Sequence, residues 1–385
     1  MFFPSAHRRT VLRTIAGIGA AVAGASACAP TVSGVRNAGS SAPTATAGGR
    51  RRFGAEWDAH ARTFMSWPAL ASVWQEDLRD VREDIARVAR NVAEYEAVVM
   101  MARPEQADAA RRACGNQVEV IGLAVDDLWA RDTVPVFVEE GGEVIGVDFG
   151  FNGWGGKQEH RNDGTVGRRL LPRYEVPCVR APLVGEGGSF ETDGEGTLLV
   201  TESSLVNENR NPDKSRATIE AELERTLGVR KVVWLAGVRG EDITDAHVDS
   251  LVRFTGPGVV LLDRAHPGTP PDSWSRSADQ AYSVLSRATD ARGRRFEIVD
   301  LPQPDPNRIT GGGDDFVSTY ANFYIANDAV FMPRFGDRKA DDRARGILRE
   351  HFPGRDVVPV PIDTIAAGGG GIHCATHDQP GEPAA

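Results

Sequence analysis

Apolar residues recur at two periods along this chain, and the alternation between them predicts its elements. Between residues 76 and 95, Leu78, Val81, Ile85, Val88, Ala89 and Val92 fall every three or four positions, the spacing of one buried helix face. The next run, Ala97-Val98-Val99-Met100-Met101-Ala102, has no polar interruption and predicts a buried strand. A helix over 105–114 and a strand over 118–121 repeat the step. Strands over 134–138 and 144–149 flank a Glu139-Glu140-Gly141-Gly142 turn. The theme then returns as strand 196–201, helix 213–227 and strand 231–235. Next come strand 251–253, a Gly256-Pro257-Gly258 turn, strand 259–262, helix 277–289 and strand 296–301. Strands 321–326 and 329–333, helix 340–351 and strand 356–360 close the series. Blocks of hairpin, helix and strand predict an α/β fold of ββαβ repeats.

The N-terminus follows neither period. Residues 1–28 carry a basic start with adjacent Arg8 and Arg9, then a small-residue apolar stretch over 14–27. That is the pattern of a twin-arginine export signal, too short and Gly/Ala-rich for a spanning helix. Ala25-Ser26-Ala27-Cys28 satisfies two rules. As a lipoprotein box it makes Cys28 a lipidated, membrane-anchored N-terminus. As an Ala-x-Ala site it releases a secreted protein. Residues 29–52 are mostly Ser, Thr, Gly, Ala and Pro, a flexible linker. The globular domain spans 53–380, and 381–385 is a tail.

The formal net charge of −10 argues against a nucleic-acid partner and favours a small cationic one. Cys114 and Cys178 either pair in the oxidising compartment beyond the membrane or stay free thiols. The cysteine spacing shows no metal pattern.

Two motifs carry candidate chemistry. Gly368-Gly369-Gly370-Gly371-Ile372-His373-Cys374 places a thiol after four glycines and a short apolar step, where backbone must approach something closely. In Asp245-Ala246-His247-Val248-Asp249, an extended backbone would put both carboxylates and the imidazole on one face. Trp129-Ala130-Arg131-Asp132-Thr133 and Gly185-Glu186-Gly187-Gly188 add further carboxylates. Asp132, Glu186, His247, Asn322 and Cys374 recur at intervals of roughly 60 residues, which suggests one functional residue per repeat. One thiol, one imidazole and several carboxylates suit a planar cation such as guanidinium. Those carboxylates would raise the thiol's pKa, and a bound guanidinium would lower it.

With these residues in view, the chain resembles the agmatine deiminase and Porphyromonas-type peptidyl-arginine deiminase family of guanidine-modifying enzymes. Its marks are Phe64-Met65-Ser66-Trp67-Pro68, the Trp129 to Thr133 motif, Phe151-Asn152-Gly153-Trp154-Gly155-Gly156, Glu186-Gly187-Gly188, Asp193-Gly194-Glu195-Gly196-Thr197, Asn209-Arg210-Asn211-Pro212, the Asp245 to Asp249 motif, Asn322-Phe323-Tyr324-Ile325-Ala326-Asn327 and Ile372-His373-Cys374. The resemblance implies a five-bladed, pseudo-symmetric α/β propeller with the site in its central channel. It implies Cys374 as nucleophile and His247 as acid and base. Asp132 and Asp249 would hold the guanidinium, and Glu186 would support His247 and the substrate. Trp129 would wall the pocket and Asn322 would contact the substrate. No metal or organic cofactor is implied.

The implied reaction is agmatine to N-carbamoylputrescine plus ammonia, within putrescine biosynthesis. The alternative is peptidyl-arginine to citrulline, and a third reading is a non-catalytic polyamine-binding lipoprotein. Asn152-Gly153-Trp154-Gly155-Gly156 lacks the arginine pair of the peptidyl-arginine enzymes, which favours agmatine; export favours peptides. Ala246, Val134, Gly371 and His377 depart from the family pattern at what would be the pocket edge. His373 reads as structural, pointing away from the site on a strand.

Overall fold

The computed structural model describes residues 51–313 and 315–383. The export signal, the linker up to residue 50 and Cys28 lie outside them. Residue 314 and the end of the tail, 384–385, do so too.

The first helical pattern forms Leu78–Val92, which buries Val81, Ile85, Val88, Ala89 and Val92. Each such Val or Ile side chain taken from water contributes about 1.5–3 kcal/mol. This helix joins β1 (His60–Ser66) to β2 (Val98–Ala102), and helix Ala107–Cys114 joins β2 to β3 (Val118–Gly122), all parallel. The other sheets share one plan. A hairpin, β4 (Val136–Glu140) with β5 (Glu143–Asp148), is followed by a helical segment and β6 (Cys178–Arg180), parallel to β5. Next come β7 (Glu191–Thr192), β8 (Thr197–Thr201), helix Arg216–Leu227 and β9 (Lys231–Leu235). Then follow β10 (Val252–Gly256), β11 (Val259–Arg264), helix Ser273–Leu285 and β12 (Glu297–Pro302). The last unit is β13 (Tyr324–Ile325), β14 (Ala329–Arg334), helix Arg338–His351 and β15 (Asp356–Pro361).

The first sheet obtains its hairpin partner from the far end of the chain. β16 (Thr376–Pro380) lies antiparallel to β1, with Met65 opposite Thr376 and Thr63 opposite Asp378. Among the described residues there are thus five separate sheets, each with one antiparallel pairing; four have one parallel pairing and the first has two.

Several boundaries move for local reasons. The helix expected over 277–289 starts at Ser273, because Asp272 and Ser275 form a reciprocal capping box. The helix expected from 213 starts at Arg216, after Ser215 accepts the Thr218 amide, and stops at left-handed Gly228. Cys114 is buried and Cys178 exposed, and both are free thiols, so the disulfide alternative falls. Among the described residues no helix is long and apolar enough to cross a membrane.

Candidate active site

Each candidate residue stands in a turn just before the first strand of a sheet. Asp132 lies in the turn Ala130–Thr133, ahead of β4. Glu186 precedes the turn Gly187–Ser189, ahead of β7. His247 and Asp249 bracket the start of the turn Val248–Ser250, ahead of β10. Asn322 precedes β13. Cys374 lies in the turn Ile372–Ala375, ahead of β16, which completes the first sheet. The 60-residue spacing is therefore the length of one structural unit, sampled at equivalent places.

The structure brings these residues together. Cys374 Sγ lies 3.2 Å from Asn322 Nδ2, which donates to it, and 3.5 Å from Asp249 Oδ2. Asn322 Oδ1 accepts the Cys374 amide at 3.1 Å, so Asn322 also clamps the Cys374 loop. Burial, then Asp249 and Asp132, push the thiol well above its ordinary value.

His247 Nε2 faces Glu186 Oε2 at 3.3 Å, and Nδ1 faces Asp132 Oδ1 at 3.7 Å. Burial lowers the pKa of this imidazole, but Asp132, Glu186 and Asp249 outweigh it and raise the value to about 9. Asp132 also accepts from Trp154 Nε1 at 2.8 Å and from the Gly188 amide at 3.0 Å. A Cβ on Gly188 would stand 2.6 Å from His247 Nδ1 and 3.1 Å from both Asp132 Oδ1 and Asp249 Oδ2. Glycine there leaves open the space on which these groups converge. Trp129 is buried beneath the glycine run, and a Cβ on Gly370 would meet its ring at 2.4 Å.

Three sequence expectations need correction. Asp245, His247 and Asp249 do not share a strand face. Asp245 and Ala246 have φ of 61° and 64°, so the segment turns. Asp245 faces Arg210 and Lys157 at 2.8 and 2.7 Å, and Asp132 and Glu186 flank His247 in its place. His373 lies in a turn, not on a strand, and its ring contacts Asp249. His377 is buried rather than at a pocket edge. It bonds the Arg131 carbonyl at 2.9 Å, and burial, then Arg131, lower its pKa to about 3.

Arg210, Glu56, Arg131 and Arg253 are the residues sequence reasoning missed. Arg210 Nε reaches both oxygens of Glu186 at 2.8 and 3.0 Å, and Nη1 reaches Asp245. Burial pushes the Glu186 carboxyl up, but Arg210 and His247 hold it below its usual value. Arg210 had a motif signal, Asn209-Arg210-Asn211-Pro212, but no partner in sequence. Glu56 gathers Arg131, Arg253 and His373, and nothing near it in sequence announces that role. His373 and His377 stand four residues apart, a spacing that can hold a metal, but their rings face different partners. Among the described residues no group of His, Cys, Asp and Glu could hold a metal ion.

This geometry, a thiol and an imidazole among carboxylates, agrees with the comparisons to known proteins. The family model for Porphyromonas-type peptidyl-arginine deiminase matches residues 52–380. An agmatine deiminase of Medicago truncatula is 37% identical over 358 residues, covering 85% of this chain and 95% of that protein. One of Stutzerimonas stutzeri is 38% identical over 350 residues, covering 85% and 94%. The solved agmatine deiminase of Enterococcus faecalis superposes with a TM-score of 0.81 at 31% identity, covering 86% of this chain and 96% of that one.

Proposed function

Because the chain belongs to the Porphyromonas-type peptidyl-arginine deiminase family, we propose that its site hydrolyses the guanidinium of agmatine to N-carbamoylputrescine and ammonia. The chain is a hydrolase of carbon–nitrogen bonds in a linear amidine. The observation that carries the reading is the convergence of Cys374, His247, Asp132, Glu186 and Asp249 on the space beside Gly188.

Asp132 and Asp249 bind the planar cation, whose charge offsets theirs and favours the Cys374 thiolate. The sulfur attacks the guanidinium carbon and a C–S bond forms. His247, protonated by its acidic surroundings, gives its proton to the departing nitrogen as the C–N bond breaks and ammonia leaves. The neutral ring then takes a proton from water, whose oxygen attacks the same carbon. The C–S bond breaks, releasing the ureido product. Arg210 orients Glu186, and Glu186 orients His247. Asn322 holds the Cys374 loop.

The five sheets are the five blades of a propeller around this site. Their shared order of pairings and the completion of the first sheet by β16 support that arrangement. Residues 53–380 are its catalytic domain. Arg8, Arg9 and the apolar stretch before Cys28 support twin-arginine export, with a lipid on Cys28 as the anchor.

Purified protein should release ammonia from agmatine, and Cys374→Ala should abolish that release while keeping the circular dichroism spectrum. Citrullination of arginine peptides with inert agmatine would move the substrate to peptidyl-arginine. Wild-type protein inert toward every guanidine would end the enzymatic reading.

A further inference from the structure

Asp249 is held from behind by a histidine that the reaction itself does not use. His373 Nδ1 lies 2.8 Å from Asp249 Oδ2, and Nε2 lies 3.0 Å from Glu56 Oε1. The ring is buried. Ionised carboxylate oxygens only accept, so satisfying both contacts takes a proton on each ring nitrogen. Glu56 cannot move to release the ring, because it is tied to Arg131 at 2.6 Å and to Arg253. The backbone is pinned as well: the His373 amide donates to the Asn322 carbonyl at 3.2 Å, and Arg131 Nε donates to the His373 carbonyl at 3.4 Å.

The oxygen that His373 holds is the one facing the open site. Asp249 Oδ2 is 3.5 Å from Cys374 Sγ and 3.1 Å from the place a Cβ on Gly188 would take. The other oxygen has only Ser250 Oγ, at 3.3 Å. Nothing else in this bond pattern fixes the plane of the carboxylate.

We infer that His373 is a positioning residue that sets the plane and preserves the charge of Asp249, so that the carboxylate is ready for the guanidinium. The inference rests on the reading of Asp249 as a guanidinium-binding group. Burial pushes the Asp249 carboxyl up, but His373, then His247 and Arg253, outweigh it and hold the value at about 2. The groups facing the pair fix its electrostatics. Arg131 and Arg253 supply positive charge; Asp132, Glu191 and Asp378 supply negative charge around them. Without His373, Asp249 would take up a proton at higher pH, and guanidinium binding would fail there first.

Asparagine and glutamine separate this role from mere packing. The amide of His373→Asn falls where Nδ1 donates, whereas that of His373→Gln reaches toward Glu56. The experiment measures kcat, KM for agmatine and the acid limb of kcat/KM for wild type, both variants and Asp249→Asn. Expected for His373→Gln are a KM at least about tenfold higher and an acid limb moved up by about one pH unit. His373→Asn should stay within about threefold of the wild-type KM. Wild-type KM and acid limb in His373→Gln, beside an inactive Asp249→Asn, would overturn the inference alone. Equal losses in both His373 variants would also overturn it. An active Asp249→Asn would instead overturn the reading of Asp249. A measurement free of folding defects is nitrogen-15 histidine NMR of the wild type at pH 7. A proton on His373 Nδ1 supports the inference, and a ring whose Nδ1 carries none refutes it.

Discussion

Two histidines of the candidate site sit between carboxylates, and they do opposite things. His247 faces Glu186 and Asp132 at 3.3 and 3.7 Å. His373 faces Asp249 and Glu56 at 2.8 and 3.0 Å. The first ring is loosely held beside the empty space that Gly188 leaves. The second is tightly held and sealed behind Asp249 by Glu56, Arg131 and Arg253. A loosely bonded ring next to substrate can trade its proton, and a ring locked at both nitrogens can only orient its partner. The chemistry of a histidine here follows from what lies across from each nitrogen and how far away it is.

The largest effect should come from closing the space that distinguishes the two. Gly188→Ala would place a methyl 2.6 Å from His247 Nδ1, closer than its 3.1 Å approach to the Asp249 oxygen that His373 holds. We expect turnover to fall by about 100-fold or more with the thermal midpoint little changed, measured by ammonia release and calorimetry. Near-wild-type turnover would show that the convergence beside Gly188 is not where substrate sits.

Next is the support of the loose histidine. Arg210→Met leaves Glu186 and Asp245 buried without their shared guanidinium. We expect a loss of about 3–5 kcal/mol in denaturant unfolding. Arg210→Lys should recover only part of this, because a single ammonium cannot reproduce the fork that joins Glu186 to Asp245. A full recovery would mean that charge alone, and not the span of the fork, holds the His247 loop.

The two histidines also differ in how far sequence reveals them. His247, Glu186, Asp132 and Cys374 are legible because each occupies a short turn between recognisable elements, and unit length spaces them regularly. The helices are legible from their apolar faces, within a few residues of each end. The support of His373 is not, because Glu56, Arg131 and Arg253 come from three distant segments whose meeting depends on the whole fold. β1 and β16 escaped for the same reason: their pairing joins the two ends of the domain. Asp245 misled because alternation assumes extended backbone, and the left-handed Asp245 and Ala246 break it. The short β6 and β7, of three and two residues, offer too few positions for any period to show.

The subtlest way to sharpen the contrast is pH, because the two histidine assemblies should fail at opposite ends of the scale. His247 has a folded value of about 9 against an ordinary 6.5, so its stabilisation is complete below 6.5 and disappears as pH rises through 9. Asp249, paired with His373, has a folded value of about 2 against an ordinary 3.8. Its stabilisation is complete above 3.8 and disappears as pH falls through 2. By linkage the first is worth on the order of 3 kcal/mol and the second on the order of 2 kcal/mol. Unfolding of wild type and His247→Gln should therefore differ most near pH 6 and converge near pH 9.5. Wild type and Asp249→Asn should differ most near pH 6 and draw together toward pH 2. A His247→Gln gap that is the same at pH 6 and 9.5 would mean that the ring is not charged among its carboxylates. It would then lack the proton needed by the leaving ammonia.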